Sequence, residues 1–176
     1  EYKPGARYTG SVSQRKRPPG ADTEGFHEAM DPLTGKRKWQ IKLDDHVTQA
    51  GMLSTDGGLV FTGRMTGEFI AIEEASGKIL WTFDPHVRLD LSTGSSSVSR
   101  VNRGVAVWEG KVYVGTGDGR LVAIDAASGH ELWSSAVIDP HLNGISGAPR
   151  VAAGRAVTVA IDGVGSLGFT LNAEAA

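Results

Sequence analysis

The chain has 176 residues, enough for one domain, and its formal net charge of −2 with 22% charged residues gives no reason to expect a nucleic-acid partner. It contains no cysteine, which excludes disulfides and thiolate metal sites. No apolar stretch approaches the roughly 18 residues that a membrane-spanning helix needs, so no span is predicted.

The first 24 residues are predicted to form an extended segment that covers a neighbouring sheet. They are rich in proline, glycine and arginine and share nothing with the repeats that follow. A charged region followed by an apolar core is missing from residues 1–10, so no signal peptide is predicted in them. The basic cluster at residues 15–17 is interpreted as solvated surface.

From residue 25 onward, one frame of glycine, alanine, glycine and tryptophan occurs three times, and such a repeat indicates an architecture of similar units. The copies are residues 25–39, 67–81 and 119–133, which end in Trp39, Trp81 and Trp133. Each copy is typical of a strand, a tight glycine turn and a second strand that carries the tryptophan. Stacking of bases or sugars on the indoles is an alternative, but one indole per unit favours docking between neighbouring units.

The second and third copies continue upstream with the same spacing of 52 residues. Alternating and β-branched stretches predict three strands in each unit and a fourth directly before them. The predicted strands are residues 50–54, 59–62, 68–72 and 79–83 in one unit, and residues 101–107, 111–114, 120–124 and 131–135 in the next. Tight turns are predicted at residues 65–67 and 117–119, the latter because Asp118 and Gly119 form an Asp-Gly pair.

Four antiparallel strands per unit make the blade of a β-propeller. A sandwich or barrel would also contain short strands, but it would not require the same glycine and tryptophan positions in every unit. The predicted fold is therefore all-β, a partial β-propeller of about three to four four-stranded antiparallel blades. We predict one domain over residues 1–176, with a partial blade at 25–43, a blade at 44–85, a connector and blade at 86–140, and a truncated blade at 141–176.

The truncated blade is predicted from a shift of 49 residues, which places Gly168 over the turn residue Gly119. Residues 163–168 also fit the GxGxxG spacing, but a dinucleotide site needs a following helix and only eight residues remain, so a glycine-rich turn is predicted. The five histidines show no ligand spacing, and neighbouring side chains at residues 44–46 would point to opposite faces of a strand. No metal site is predicted from these residues.

The turn of threonine or serine, glycine and a following tryptophan resembles the tryptophan-docking motif of the quinoprotein propellers. Residues 101–108, which begin Val-Asn-Arg-Gly, resemble a segment of the pyrroloquinoline-quinone-dependent methanol and alcohol dehydrogenases, and residues 110–133 and 144–151 continue the match. Residues 86–155 are similar to an early part of that family, whereas residues 1–83 are similar to its C-terminal part. The resemblance thus implies a fragment or a rearranged form with the two blocks in reversed order.

The resemblance implies two cofactor-binding residues. Arg103 matches the arginine that pairs with the carboxylate and carbonyl oxygens of the quinone, an acceptor geometry that suits a guanidinium fork. Ser146 stands where the family has a threonine or serine that contacts the cofactor. A loop arginine and a turn serine without cofactor are the alternatives. The family cofactors are pyrroloquinoline quinone and calcium.

The departures from the family pattern concern the chemistry. Ser97 and Val98 replace a vicinal cysteine pair, Gln49 replaces a tryptophan, Gly163 replaces the calcium-binding glutamate, and Leu167 replaces an arginine. The central blades, which supply the catalytic aspartate, an asparagine ligand of calcium and a stacking tryptophan, have no counterpart. No catalytic residue and no metal ligand are therefore assigned, and the chain alone is expected to be inactive.

The resemblance implies a periplasmic enzyme that oxidises primary alcohols with bound quinone and passes the electrons to a cytochrome. Its partners would be a small primary alcohol and a cytochrome acceptor, with no nucleic acid and no membrane span. Two alternatives stay open. One is a non-catalytic β-propeller scaffold for protein–protein interaction, and the other is a fragment without independent function that folds poorly or assembles with other chains.

Overall fold

The computed structural model is built from β-strands. It describes residues 19–20, 24–43, 50–64, 66–88, 104–139, 145 and 147–151, and the backbone alone of residues 152, 156–161 and 165–170. The strands in this part of the chain are β1 (Gly25–Met30), β2 (Arg37–Leu43), β3 (Met52–Ser54), β4 (Leu59–Gly63), β5 (Phe69–Glu73), β6 (Ile79–Phe83), β7 (Ala106–Trp108), β8 (Lys111–Gly115), β9 (Arg120–Asp125), β10 (Glu131–Ala136), β11 (Arg150–Ala152), β12 (Ala156–Ile161) and β13 (Gly165–Thr170). Over the same residues no helix is long and apolar enough to cross a bilayer.

Four antiparallel sheets follow one another along the chain. The first sheet is β1-β2, the second is β3-β4-β5-β6, the third is β7-β8-β9-β10, and the fourth is β11-β12-β13. Strands that are consecutive in sequence are neighbours in every sheet, as in the blades of a propeller. The all-β partial-propeller fold predicted from the sequence is confirmed.

The repeated alanine lies opposite the repeated tryptophan in each of the first three sheets. The register pairs are Ala29 with Trp39, Ala71 with Trp81, and Ala123 with Trp133. A small side chain opposite the indole leaves room for the ring on the face of the sheet, and an irregularity of register lies beside each pair. The sequence frame is thus explained by cross-strand packing.

The frame's second glycine closes a turn with the same main-chain bond in all three copies. The glycine N–H donates to the carbonyl oxygen four residues earlier, at 2.8 Å in the first copy and 2.9 Å in the other two; the pairs are Gly35 with Asp31, Gly77 with Glu73, and Gly129 with Asp125. The φ angles of these glycines are 67°, 77° and 76°, a left-handed conformation that favours glycine.

The sheets pack face to face, and an apolar cluster lies between each successive pair. Between the first and second sheets the cluster comprises Ala29, Trp39, Ile41, Val60, Ile70 and Ile72. Between the second and third sheets it includes Phe61, Phe69, Ala71, Trp81, Val112, Val114, Val122 and Ile124. Between the third and fourth sheets it includes Tyr113, Leu121, Ala123, Trp133, Ile145 and Val151. Strands β5 and β9 are therefore buried on both faces.

Two of the tryptophans link one sheet to the next. Nε1 of Trp39 donates to the carbonyl oxygen of Glu74 at 2.7 Å, and Nε1 of Trp81 donates to that of Ala126 at 3.0 Å. A Cβ placed on Gly77 would lie 2.7 Å from the ring of Trp39, and one on Gly129 would lie 2.6 Å from the ring of Trp81. Each indole therefore lies against the glycine turn of the following sheet.

The fourth sheet differs from the prediction. Gly165 and Gly168 lie within β13, which pairs with β12 over its whole length, so the prediction of a glycine-rich turn at residues 163–168 is wrong for this part. The shift of 49 residues also placed the strand about four residues too late, because β12 runs on to Ile161 and pairs directly with Gly165. The predicted features at residues 44–46, 49, 97–98 and 163 lie outside the described residues, and the blade boundaries stay predictions.

Candidate functional site

Two turns and one segment that leaves a sheet lie together at one end of the stack, opposite the glycine turns that contact the tryptophans. Because connections of antiparallel strands alternate between two ends, the turns from β4 to β5 and from β8 to β9 lie at the end remote from the turns at 74–77 and 126–129. Residues 84–88, which follow β6, also reach residues 118 and 120. We call residues 64, 66–68, 84–88 and 116–119 the loop end.

The two cofactor residues implied by the sequence, Arg103 and Ser146, lie outside the described residues. Their neighbours meet at the loop end. A Cβ on Gly104 would lie 3.0 Å from Cβ of Ala148, and the N–H of Ile145 donates to the carbonyl oxygen of Thr116 at 3.2 Å. Ile145 is 3% exposed. The segments that flank Arg103 and Ser146 are therefore packed together beside the third sheet.

Asp118 is the centre of a buried polar network at the loop end. Its side chain is 3% exposed. Its Oδ1 accepts from the hydroxyl of Thr116, and its Oδ2 accepts from the N–H of Arg88 at 3.1 Å and from Nε of Arg120 at 3.0 Å. Nη2 of Arg120 lies 2.9 Å from Oδ2 and donates to the carbonyl oxygen of Pro85 at 2.6 Å. The network ties the chain that leaves the second sheet to the β8–β9 turn.

The ionised form of Asp118 is favoured by these partners. Burial by itself would raise the pKa of Asp118, but the hydrogen bonds from Arg120, Thr116 and the main chain of Arg88, with the charge of Arg120, outweigh burial and lower it. The carboxylate therefore stays charged and acts as a hydrogen-bond acceptor. Because its described partners are all donors within the protein, this geometry holds loops in place and assigns no proton-transfer role to Asp118.

Asp118 is recognisable in the sequence as a turn residue, but its partners are not. A comparison of the two copies gives a signal for them. The second sheet has Arg64, Thr66 and Glu68 at the positions of Thr116, Asp118 and Arg120. There Nη1 of Arg64 lies 3.4 Å from Oε2 of Glu68, and the hydroxyl of Thr66 donates to the same oxygen at 3.1 Å. Both copies thus have an ion pair at this turn, but the position of Glu68 and Arg120 changes sign and its partner stands at a different position of the turn.

The described residues do not provide a calcium site. Among them no group of three or more histidine, aspartate or glutamate side chains converges to hold a metal ion. Calcium requires six to eight oxygen ligands, so a single buried carboxylate such as Asp118, already bonded to an arginine, does not fit this ion. The described part of the loop end is therefore suited to loop positioning, not to metal coordination.

Comparison with known proteins identifies the family. Residues 27–91 and 87–174 match the family model described as outer membrane protein assembly factor BamB. The chain belongs to this family. Quinohemoprotein alcohol dehydrogenase ADH IIB of Pseudomonas putida is 43% identical over 121 residues, which are 68% of this chain and 17% of that protein. The dehydrogenase subunit of the quinone alcohol dehydrogenase of Gluconacetobacter polyoxogenes is 36% identical over 129 residues, 69% of this chain and 17% of that subunit.

Solved structures agree with these relatives. The quinohemoprotein alcohol dehydrogenase ADHIIG of Pseudomonas putida HK5 has a TM-score of 0.61 and 34% identity, over 70% of this chain and 19% of that chain. BamB of Moraxella catarrhalis has a TM-score of 0.63 over 82% of this chain and 39% of that chain, but at 22% identity it shows the fold alone. The resemblance to the quinoprotein alcohol dehydrogenases is confirmed. The chain spans 17% of the length of the two dehydrogenases aligned with it.

Proposed function

We propose that the chain acts as part of a quinoprotein alcohol dehydrogenase propeller. The observation that carries this proposal is the 43% identity to ADH IIB over 121 residues, which are 68% of this chain. A match to 17% of that protein supports a fragment or rearranged form. The reversed order of the C-terminal-like and N-terminal-like blocks is part of the proposal. So is the division into blades at residues 25–43, 44–85, 86–140 and 141–176 within the single domain.

The contacts of Trp39 and Trp81 are, in this proposal, the tryptophan-docking contacts of the quinoprotein propellers. Each indole lies on the glycine of the next turn and donates to a carbonyl oxygen of that turn. Such contacts fix the angle between successive sheets because they combine ring packing with a directional hydrogen bond. The role of this end is to hold the sheets together, which leaves the loop end for ligand binding.

For the cofactor, we propose that Arg103 and Ser146 hold pyrroloquinoline quinone. Packing of Gly104 against Ala148 and the bond of Ile145 to Thr116 support this, because they bring the flanking segments together. Arg103 would donate to the carboxylate and carbonyl oxygens of the quinone, and the Ser146 hydroxyl would bond to it. When bound, the quinone supplies the two-electron acceptor for alcohol oxidation. The described residues do not fit calcium.

The whole reaction belongs to the longer proteins. We propose that the substrate class is small primary alcohols, that the electron acceptor is a cytochrome, and that the location is the periplasm. A 1-butanol dehydrogenase (cytochrome c) of Thauera butanivorans, 48% identical over 89 residues, supports the substrate and the acceptor. No residue of this chain is proposed as a catalytic base. The chain alone should therefore bind quinone without turning over alcohol, and it would need other propeller chains to complete a site.

Titration with pyrroloquinoline quinone tests this proposal. Bound quinone should quench tryptophan fluorescence, and Arg103→Ala should weaken binding about 10- to 100-fold, the loss expected for charge-assisted bonds of about 1.5–3 kcal/mol. Arg37→Ala is the matched control because Arg37 pairs with Glu28 at 3.5 Å on the first sheet, away from the loop end. Absence of quenching, or equal affinity in Arg103→Ala, would contradict the cofactor assignment. Reduction of an artificial dye with a primary alcohol would contradict the expected inactivity.

A second candidate function is a non-catalytic scaffold that binds another protein. The match to the family model described as BamB favours it. A periplasmic protein captured by the immobilised chain should then, when purified, bind saturably and be displaced by free chain. If no protein meets both conditions, the scaffold function is excluded. Quinone binding with an Arg103 dependence would instead favour the enzyme-derived function.

A further inference from the structure

His27 is a buried polar side chain between the first and second sheets. It is 3% exposed, and its Nε2 atom has no hydrogen-bond partner among the residues that the structure describes. In the repeat, the same position is Phe69 in the second sheet and Leu121 in the third, and both are buried apolar side chains. The first copy thus places a titratable imidazole where the other two copies have only hydrocarbon.

The surroundings of His27 favour the neutral form of the imidazole over the protonated form. His27 lies opposite Ile41 in the register and on the same face of β1 as Ala29, which packs on the second sheet. In the described part of the chain, the charged group found to act on it is Arg64, after β4, which is paired with Glu68. Burial, and then the positive charge of Arg64, lower the pKa of His27.

We propose that His27 makes the contact between the first and second sheets proton-sensitive, so that acidification releases the first sheet while the second and third sheets stay packed. An imidazolium at this position would be buried without an acceptor for Nε2–H and close to another cation. Separation of the two sheets would let water solvate it. The cluster between the second and third sheets consists of hydrocarbon and aromatic side chains, so protonation gives no comparable reason for it to open.

The direction of the pH effect follows from linkage. Because the pKa of His27 is lower in the packed state than the ordinary value of about 6.5, the released state binds the proton more tightly. Packing of the first sheet is therefore strongest above about pH 7. It weakens as the pH falls below about 6.5, by up to tenfold in the opening equilibrium per pH unit for one proton, until the packed form is also protonated.

The other described titratable groups are not placed to change the packing of the first sheet near neutral pH. His86 has a side chain that is 87% exposed and lies 3.1 Å from Oδ2 of Asp84, and His130 is exposed on the turn of the third sheet. Ordinary carboxylates titrate mostly below about pH 5. Tyr113 and Asp118 are buried, but both belong to the third sheet, and neither titrates near neutral pH. Among the buried side chains that the structure describes, His27 is therefore the one whose protonation belongs to the range from about pH 5.5 to 7.5.

Hydrogen exchange of the whole chain tests the proposal. After correction for the intrinsic pH dependence of exchange, the amides of β1 and β2 should lose about tenfold protection between about pH 7.5 and 5.5, whereas those of β8 and β9 keep theirs. His27→Phe, the residue of the second copy, should abolish the difference. His27→Leu, the residue of the third copy, gives a second test if phenylalanine does not fit. His130→Gln is the control and should behave as the wild type.

Two results would overturn the proposal. One is an unchanged pH dependence of β1 and β2 in a folded His27→Phe or His27→Leu variant. The other is a parallel loss of protection in all sheets of the wild type, which would indicate global acid unfolding.

A second readout is Trp39, whose indole leaves the carbonyl oxygen of Glu74 on release. Its emission should shift to the red on acidification in the wild type and not in His27→Phe.

Discussion

Substitution of the turn glycines by alanine separates the contribution of the indole contacts from that of the turns themselves. Gly35, Gly77 and Gly129 occupy the same repeat position, with φ angles between 67° and 77° and the same main-chain hydrogen bond. They differ in what a new Cβ would meet. At Gly35 no atom of the described residues lies within 4 Å, whereas at Gly77 and Gly129 ring carbons of Trp39 and Trp81 lie 2.7 and 2.6 Å away.

The expected costs follow from these distances. Each alanine has to adopt a left-handed conformation, at about 1–2 kcal/mol, and this cost is common to all three variants. A Cβ within 3 Å of an indole also displaces a well-packed ring, at about 1–3 kcal/mol more. Gly35→Ala should therefore lose about 1–2 kcal/mol, and Gly77→Ala and Gly129→Ala about 2–5 kcal/mol. The effect of alanine on the unfolded chain is similar at the three positions and cancels in the comparison.

Urea unfolding followed by circular dichroism measures the three free energies. The informative quantity is the excess cost of Gly129→Ala over Gly35→Ala. A double-mutant cycle with Trp81→Phe should reduce that excess, because a smaller ring leaves more room for the new methyl group. Equal costs of Gly35→Ala and Gly129→Ala would refute the inference that the indoles and glycine turns of adjacent sheets are packed in contact.

Two further substitutions test individual bonds. Trp81→Phe removes the indole donor to the carbonyl oxygen of Ala126, which leaves a buried acceptor without its partner, so we expect a loss of about 1–3 kcal/mol in urea unfolding, with Phe83→Leu as the control for a general loss of aromatic packing. Asp118→Asn weakens the buried pair with Arg120 and should cost about 3 kcal/mol. Because the pKa of Asp118 is lowered on folding, its contribution is present above the unfolded value of about 3.9 and is lost as the pH falls through the folded value. Asp118→Asn should therefore flatten the acid limb of a stability–pH profile below about pH 4, and an unchanged limb would contradict the assignment.

The strands of the second and third sheets were predictable because the repeat constrains them twice. Alternation of apolar and polar residues indicates where each strand lies, and the second copy, 52 residues away, gives an independent estimate of the same position. The predicted strand at residues 79–83 coincides with β6, and the one at 120–124 differs from β9 by one residue. The one at 101–107, which has less of the repeat in it, was placed too early, since β7 is Ala106–Trp108. Opposite placement of Ala71 and Trp81 was not predicted, since register depends on the irregularity beside the pair.

The strands of the fourth sheet were predicted less accurately because their alignment depended on residue identity alone and on no constraint from strand pairing. Gly168 was matched to the turn glycine Gly119, but a glycine inside a strand is compatible with pairing to a neighbour. The complementary stretch at residues 156–161 sets the hairpin register, and it places β13 earlier than the shift of 49 residues did. The tail lacks the second glycine and the tryptophan of the frame, which align the other copies.

The candidate site was only partly accessible from the sequence. Arg103 and Ser146 came from resemblance to a family, and their roles stay proposals. The network of Asp118 was missed because one of its donors is the main-chain N–H of Arg88, and any residue type can supply a main-chain donor. The hydroxyl of Thr116, on the same turn, is a second donor. The burial of His27 was missed for a related reason, since alternation predicts a face but not whether that face is covered.

Departures from the internal repeat indicate where this scaffold has a specific role. The three glycine turns keep the same left-handed glycine and the same main-chain bond, and Trp39 and Trp81 dock on the following sheet by the same contacts. A buried position that is apolar in two copies could be apolar in the remaining copy as well, so a polar residue there needs a separate explanation. His27 replaces the apolar residues of the other copies, and Asp118 with Arg120 forms an ion pair where the second copy has Thr66 and Glu68. A buried polar or charged side chain lowers stability unless a local partner compensates for its burial. Positions that break the pattern of the repeat in this way are therefore candidates for a functional role. Exchanging residues between copies is therefore the direct way to separate scaffold from function in this chain.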